Sequence, residues 1–430
     1  MCSENKSICA DSDLKESPAE KENEVVTCLM EDDQSKVVEE GDVRTRSAED
    51  VILTAPMSLD ESEEDPSHYR APNVLRRILT LLKSMRLRPG SDLTRVQVPP
   101  VFNLPKSVLQ SFGESIYCIG EEECMVSRCA RGPTSLDRFI SVVAWNISTI
   151  RPFKFGVAFY NSILGETHHV SRGDLNVLLE QVSHHPPVTA LHATNEKDGV
   201  SIIWCQRIVP KFHGTKVDAE VQGIRQLQLV HRDETYIMSH PNLEFRFFPM
   251  AGVYWSGKFA VQCLQTDFEC ELSFVRNPFF LGNKSNQSGI KGKIFVASSK
   301  KTLFEVNGHW DRTVTIKDIT NGKVSIIYDA KQMLTKLKTP VVKNPKGVWD
   351  SESAVVWSKV SKGILNRNWE MAGEAKYEIE EKQREIAKER ELKGEVWIPK
   401  YFNFSYTKED GWTCSPKQES VPPAPIIVPI

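Results

Sequence analysis

The chain lacks any run of about 18 apolar residues, so no helix in it is expected to span a bilayer. Its first residues, Met1-Cys2-Ser3-Glu4-Asn5, lack the basic start and apolar stretch of a secretory signal. No C-x-x-C pair occurs among its 10 cysteines, which argues against a zinc ribbon or a disulfide scaffold. Cys205, Cys263 and Cys270 fall in strand-like runs and read as small core residues. Cys118, Cys124 and Cys129 are grouped, but at spacings that fit no metal site. A reducing, cytosolic setting is the expectation. Residues 1–65 are short of basic charge: 20 Asp/Glu face 6 Lys/Arg. The rest of the 430 residues carries 48 basic and 37 acidic side chains. A moderately basic body of that kind suits an anionic partner: a membrane surface, a phospholipid headgroup or nucleic acid.

Residues 1–68 are also poor in aromatics and cannot bury enough apolar surface to offset the entropy of ordering, so the sequence predicts a disordered acidic tail. Val51-Ile52-Leu53 is an apolar island in it that could dock on the body or on a partner. Asn73 to Met85 is the first strong helix, with Leu75, Ile78, Leu79, Leu82 and Met85 at helical spacing and Arg76, Arg77 and Lys83 on or beside its polar side. Such a helix is either a surface helix packed on the core or a movable amphipathic flap that meets a membrane. Pro89-Gly90 stops it. From about residue 200 to 330, short alternating runs such as Leu243-Phe245-Phe247, Phe259-Val261-Cys263 and Val314-Ile316 recur between turn residues. That pattern implies an antiparallel sandwich or barrel, and a barrel of many strands can enclose a ligand. Residues 349–393 turn helical again, Tyr401-Phe402 and Phe404 suggest a closing strand or packed loop, and the Pro-rich end over 411–430 reads as a loose tail.

The most distinctive run is Glu180-Gln181-Val182-Ser183-His184-His185-Pro186-Pro187. Proline after His185 pushes that residue toward an extended geometry. Adjacent side chains of a regular strand face opposite ways, so both imidazoles can serve one ligand only if the backbone turns here. Imidazole N–H groups are good donors to phosphate, more so when protonated. A second pair, His168-His169, raises a metal hypothesis, but no spacing matches H-E-x-x-H and no cysteine is near, so no metal is expected.

The run resembles the fingerprint of the oxysterol-binding protein family of lipid-transfer proteins. The resemblance extends over roughly residues 70–405 and includes Asp92-Leu93-Thr94-Arg95, Pro99-Pro100-Val101-Phe102-Asn103-Leu104-Pro105 and Asn161-Ser162-Ile163-Leu164-Gly165-Glu166-Thr167. The set looks most like short plant members that carry only the ligand-binding domain. The resemblance implies an α+β, mainly β fold: an incomplete antiparallel barrel around a lipid tunnel, with an N-terminal helical lid (70–98), a barrel (99–340) and a C-terminal helical part (341–410). It implies no enzymatic activity and no catalytic residues, and no cofactor beyond lipid ligands. A sterol or other lipid such as phosphatidylserine would occupy the tunnel and exchange for phosphatidylinositol 4-phosphate between membranes. The partners would be membranes met peripherally and transiently from the cytoplasm, not nucleic acid, with a possible protein partner at the acidic tail. A lipid sensor with little net transfer, or a histidine-dependent phosphoesterase using Ser183, are the competing readings.

The resemblance places His184, His185 and Asn161 at the headgroup, together with a C-terminal stripe, Lys376, Glu380 and Arg384. Steps of four keep the stripe on one helix face. Lid residues would be Leu75, Ile78, Leu79, Leu82, Leu93 and Thr94. One loop departs from the family pattern Lys-Pro-x-Asn-Pro-x-Leu-Gly-Glu: Ala158 stands for the lysine, and Phe159 and Ser162 for the prolines. Losing a cation there would cost roughly 1.5–3 kcal/mol of headgroup binding unless another cation serves.

Overall fold

The computed structural model describes residues 47–59, 74–84, 88–94, 96–120, 125–248, 251–275, 288–408 and 411–430. In chain order come helix α1 (Val74–Ser84), strand β1 (Asn103–Ser107), and helices α2 (Val108–Tyr117), α3 (Met125–Arg131) and α4 (Ser135–Ser148). Strand β2 (Ala158–Tyr160) precedes β3 (Thr167–Arg172), β4 (Leu175–His184), β5 (Pro187–Asn195), β6 (Val200–Phe212) and β7 (Lys216–Leu229). Next are β8 (Glu234–Met238), β9 (Asn242–Arg246), β10 (Gly252–Ser256), β11 (Lys258–Cys263) and β12 (Phe268–Val275). Strands β13 (Gly289–Val296), β14 (Thr302–His309), β15 (Thr313–Asp318) and β16 (Val324–Asp329) follow. The last part holds α5 (Ala330–Leu334), β17 (Val341–Val342), α6 (Ser353–Val356), α7 (Ser358–Leu365), α8 (Trp369–Lys393), β18 (Phe402–Thr407), β19 (Gly411–Pro416) and β20 (Ile426–Ile427).

One sheet runs in the order β16-β15-β14-β13-β12-β11-β8-β7-β6-β5-β4-β3-β20-β17, with β9 and β10 branching from β7. Its two end strands do not pair, so the barrel is incomplete, as expected. Neighbours are antiparallel except β20 on β3. Helix α4 starts at a capping box, Thr134 with Asp137, that satisfies its first N–H groups. It then buries Phe139, Val142, Val143, Trp145 and Ile147 against β12, β16 and α3. Each such side chain withdrawn from water contributes on the order of 1.5–3 kcal/mol.

Two expected boundaries are corrected. Residues 47–59 belong to the folded body and not to the tail over 1–68: Val51 is buried, Ile52 N–H donates to the Ala354 carbonyl at 3.0 Å, and Leu59 N–H to the Leu334 carbonyl at 2.8 Å. The apolar island docks together with polar anchors beyond it: Lys106 donates to the Ala55 carbonyl at 2.8 Å and Ser58 Oγ to the Leu334 carbonyl at 2.8 Å. The segment 411–430 is not loose either. Strand β19 pairs with β18, and β20 inserts between β3 and β17. Val421, Ala424, Ile426 and Val428 are buried. The prolines there cost no donors that the sheet requires, because the N–H groups between them find partners: Val421 on Thr194 Oγ1, Ala424 on Ser171 Oγ and Val428 on the Ser171 carbonyl.

Candidate functional site

The histidine run forms the hairpin between β4 and β5. His184 pairs with Pro187, which leaves His185 and Pro186 as the turn residues. The required change of backbone direction is therefore present, and the two rings lie 4.6 Å apart, tilted by 57°. His184 is half-buried and His185 exposed. His184 Nδ1 lies 3.0 Å from the Ser162 carbonyl. A carbonyl only accepts, so Nδ1 carries the hydrogen and Nε2 is the free lone pair of the neutral ring. Burial, followed by the neighbouring His185, pushes the His184 imidazole below its ordinary value, and the Ser162 carbonyl opposes this. Neutral His184 thus presents an acceptor; it turns into a donor toward an arriving phosphate by taking up a proton.

Two buried carboxylates in the quoted motifs build this hairpin and its neighbour loop, and the sequence reading gave neither a role. Glu166 accepts from Ile163 N–H at 2.9 Å, Ser353 Oγ at 2.6 Å and Trp357 Nε1 at 2.9 Å. It fixes the loop over 161–166, whose Ser162 carbonyl in turn holds His184. Gly165 in that loop has φ +77°, and a side chain there would meet the Trp397 ring at 2.7 Å. Glu180 accepts from the N–H groups of Lys400 and Tyr401 at 2.7 and 2.8 Å, clasping the C-terminal segment to the fingerprint strand.

Asn161 is exposed in the same loop, one residue before Ser162. Lys376 is buried on α8, with its ammonium on the Val98 carbonyl, 3.2 Å from Asn103 Oδ1 and 3.8 Å from Glu380 Oε1. Burial lowers its pKa, with Glu380 opposing. The Asn103 amide donates to the carbonyls of Ala158 and Phe159, each at 3.3 Å. Lys376 is thus one side chain removed from the position where the family pattern has its lysine. Asn103 was legible only as part of the Pro99–Pro105 string, with no role attached. Arg384 is not gathered into this cluster: it is exposed, with Nε 3.0 Å from Glu381 Oε2 and its guanidinium 5.8 Å from the Tyr377 ring centre.

Strand register places Leu93 and Thr94, the residues expected of a lid. Pro187 is level with Ile208 of β6, because Thr189 pairs with Gln206. Leu93 N–H donates to the Pro210 carbonyl at 2.9 Å, two residues farther along β6, and the backbones of Asp92 and Lys211 pair in an isolated antiparallel bridge. The segment over 90–94 therefore sits at the same strand ends as the histidines. On α1, Leu75 and Leu79 are exposed and Ile78 and Leu82 half-buried; Met85 lies outside the described residues.

The second histidine pair is structural. His168 is buried between the Tyr117 hydroxyl (2.8 Å) and Glu352 (2.6 Å), and His169 stacks on Trp349 at 4.9 Å. Among the described residues, no group of three or more His, Cys, Asp or Glu is placed to hold a metal. A basin of about 560 Å³ lies elsewhere, on the exposed side of β11–β14 beside Lys258, Glu271, Lys291 and Lys293, and shares no lining residue with the histidine cluster. No helix among the described residues is long and apolar enough to cross a membrane.

Comparison with known proteins bears on the family and the fold. The profile of the family described as "Oxysterol-binding protein" matches residues 80–362. Oxysterol-binding protein-related protein 4B of Arabidopsis thaliana is 50% identical over 382 residues, covering 88% of this chain and 97% of that protein. Human oxysterol-binding protein-related protein 5 is 31% identical over 339 residues, 75% of this chain and 37% of that longer one. Among solved structures, the Osh1 ORD domain in complex with ergosterol superposes with a TM-score of 0.66 at 18% identity, covering 86% of this chain and 90% of that one. The Osh3 ORD in complex with PI(4)P, from Saccharomyces cerevisiae, gives a TM-score of 0.61 at 19% identity, covering 88% and 95%.

Proposed function

The chain belongs to the oxysterol-binding protein family, and from that membership and the site's geometry we propose that it is a cytoplasmic lipid carrier, peripheral on membranes, that exchanges a sterol or other apolar lipid for phosphatidylinositol 4-phosphate. The observation that carries this is the His184–His185 turn, with rings 4.6 Å apart and His184 Nδ1 fixed on the Ser162 carbonyl. In this reading the two imidazoles and Asn161 take the phosphorylated headgroup. Lys376 supplies the fixed positive charge, Glu380 orients it, and Arg384 adds only longer-range attraction. Neither step makes or breaks a covalent bond. The likeness to the Osh1 and Osh3 domains, solved with ergosterol and with PI(4)P, supports a fold able to hold either class of lipid.

Shelter for the apolar lipid and charge for the headgroup are opposite provisions. Removing ~400–500 Å² of a sterol's apolar surface from water recovers on the order of 10 kcal/mol. Two lipids that share one interior compete, so a gradient of one drives transport of the other. The lid would be α1 with Leu93 and Thr94. Its exposed Leu75 and Leu79 and its Arg76, Arg77 and Lys83 suit an anionic bilayer, at roughly 1 kcal/mol per basic residue near the surface.

Liposome extraction tests the reading. The double substitution His184→Ala/His185→Ala should abolish phosphatidylinositol 4-phosphate extraction and spare sterol binding. Equal loss of both would mean that the pair serves the fold, and retention of both would remove the headgroup role.

A further inference from the structure

Register carries the interior below the histidine hairpin from β4 to β12. Leu179, Leu191, Trp204, Arg225, Met238, Val261 and Cys270 are successive cross-strand partners in one row. All are buried, and all but one are uncharged. The exception, Arg225, is 3% exposed. No Asp or Glu among the described residues pairs with it. Its guanidinium lies 3.7 Å above the Trp204 ring centre, and one arm donates to Thr149 Oγ1 at 2.7 Å. Its Nε has no acceptor.

Among the described residues, three further buried donors without acceptors belong to the same neighbourhood, the first being Nε1 of Trp204 itself. Gln206 Nε2 is two residues along β6 from Trp204, on the same face of the strand. Asn146 Nδ2 is on α4, and the Asn146 carbonyl accepts from Thr149 Oγ1 at 2.8 Å. Opposite Gln206 stands Gly223, with φ +111°, where a side chain would collide with the Cys205 carbonyl at 1.9 Å. Arg225 is four residues along the strands from the level of His184, roughly 13 Å at ~3.3 Å per residue. A buried guanidinium with no carboxylate partner is costly unless an anion reaches it, and the stack on Trp204 offsets only part of that cost.

We propose that Arg225, with Gln206 and Asn146, forms a second, interior polar site that takes the carboxylate of an amphiphile entering with that group first. This rests on the reading that the interior holds lipid. It goes beyond that reading in naming a deep anion site distinct from the headgroup cluster at the hairpin. A carboxylate offers a planar pair of acceptors that matches the guanidinium edge, whereas a hydroxyl offers neither the charge nor the fork.

The test uses the full chain and three probes: a radiolabelled C18 fatty acid, the matching fatty alcohol, and phosphatidylinositol 4-phosphate in liposomes. The fatty acid should bind at least about 10-fold more tightly than the alcohol, equal to about 1.4 kcal/mol. Arg225→Met should remove that preference, Arg225→Lys should retain part of it, and phosphoinositide extraction should persist in both. Equal binding of acid and alcohol by the unaltered protein overturns the site, and needs no variant to fold. So does an Arg225→Met protein that keeps the preference. Binding of the fatty acid without any phosphoinositide extraction would instead leave this site standing and remove the exchange reading.

Discussion

The side-chain amide of Asn103 faces Lys376 on one side and position 158 on the other: its Oδ1 is 3.2 Å from the Lys376 ammonium and its Nδ2 3.3 Å from the Ala158 carbonyl. The C-terminal helix therefore delivers a cation next to the position where this chain lacks the family's lysine. A cation restored at 158 would join Lys376 and would not replace it. Ala158→Lys should raise phosphatidylinositol 4-phosphate extraction about tenfold or more, the worth of one charged hydrogen bond. Unchanged extraction from liposomes would show that position 158 does not face the headgroup.

Lys376 and Arg384 separate by environment. The first is buried and held by three partners, while the second is exposed and turned to Glu381. Lys376→Ala should weaken extraction roughly 10-fold or more. Arg384→Ala should weaken it by less than about fivefold, since an exposed charge pair contributes roughly 0–1 kcal/mol. A thermal melt of each variant separates lost binding from lost fold. Equal effects of the two substitutions would restore Arg384 to the headgroup.

Phosphate binding should draw a proton from solution. The free protein holds His184 below its ordinary value, so the ring is neutral at pH 7. A phosphate at Nε2 favours the charged form and raises that value. Affinity should therefore rise as pH falls from 8 toward about 6.5. Below about pH 6 the phosphate dianion itself takes up a proton, becomes a monoanion, and the gain stops. Calorimetry with soluble inositol 4-phosphate, in buffers of different ionisation enthalpy, should show net proton uptake at pH 7. Proton release, or none, would contradict the assignment of Nε2 to the ligand.

Glu166 links the helical part to the histidines through the loop that carries Ser162. Glu166→Gln keeps the shape but replaces one acceptor oxygen by a donor against Trp357 Nε1, Ser353 Oγ or Ile163 N–H. The variant should lose about 1–3 kcal/mol of stability in denaturant unfolding. It should also extract phosphoinositide less well than its remaining folded fraction accounts for. An unchanged midpoint would mean that the clasp does not hold the loop.

Much of the barrel was legible because strands such as β11 and β15 bury alternate residues and leave the others more exposed, so that apolar and polar residues alternate. Strands β3 to β5 were harder to read. Leu191 packs inward while Val188 and Ala190 pack outward on Phe402, so both faces are buried and the alternation disappears. The C-terminal strand β20 was hidden by the prolines around it. The histidine pair stood out by its string alone, and the turn that brings the rings together followed from Pro186 and Pro187. Asn103, Glu166 and Glu180 could not be assigned, because their partners are backbone groups and side chains far away in the chain. Arg225 was invisible for the same reason: an arginine between Ile224 and Gln226 reads as a surface residue until register places it in an apolar row.

The most direct test loads the protein with a fluorescent sterol and titrates it with liposomes containing phosphatidylinositol 4-phosphate. The unaltered protein should release sterol in step with phosphoinositide uptake, one for one, and the His184→Ala/His185→Ala protein should keep its sterol. A ternary complex holding both lipids, or equal release from the altered protein, would contradict a shared interior gated by the histidine pair.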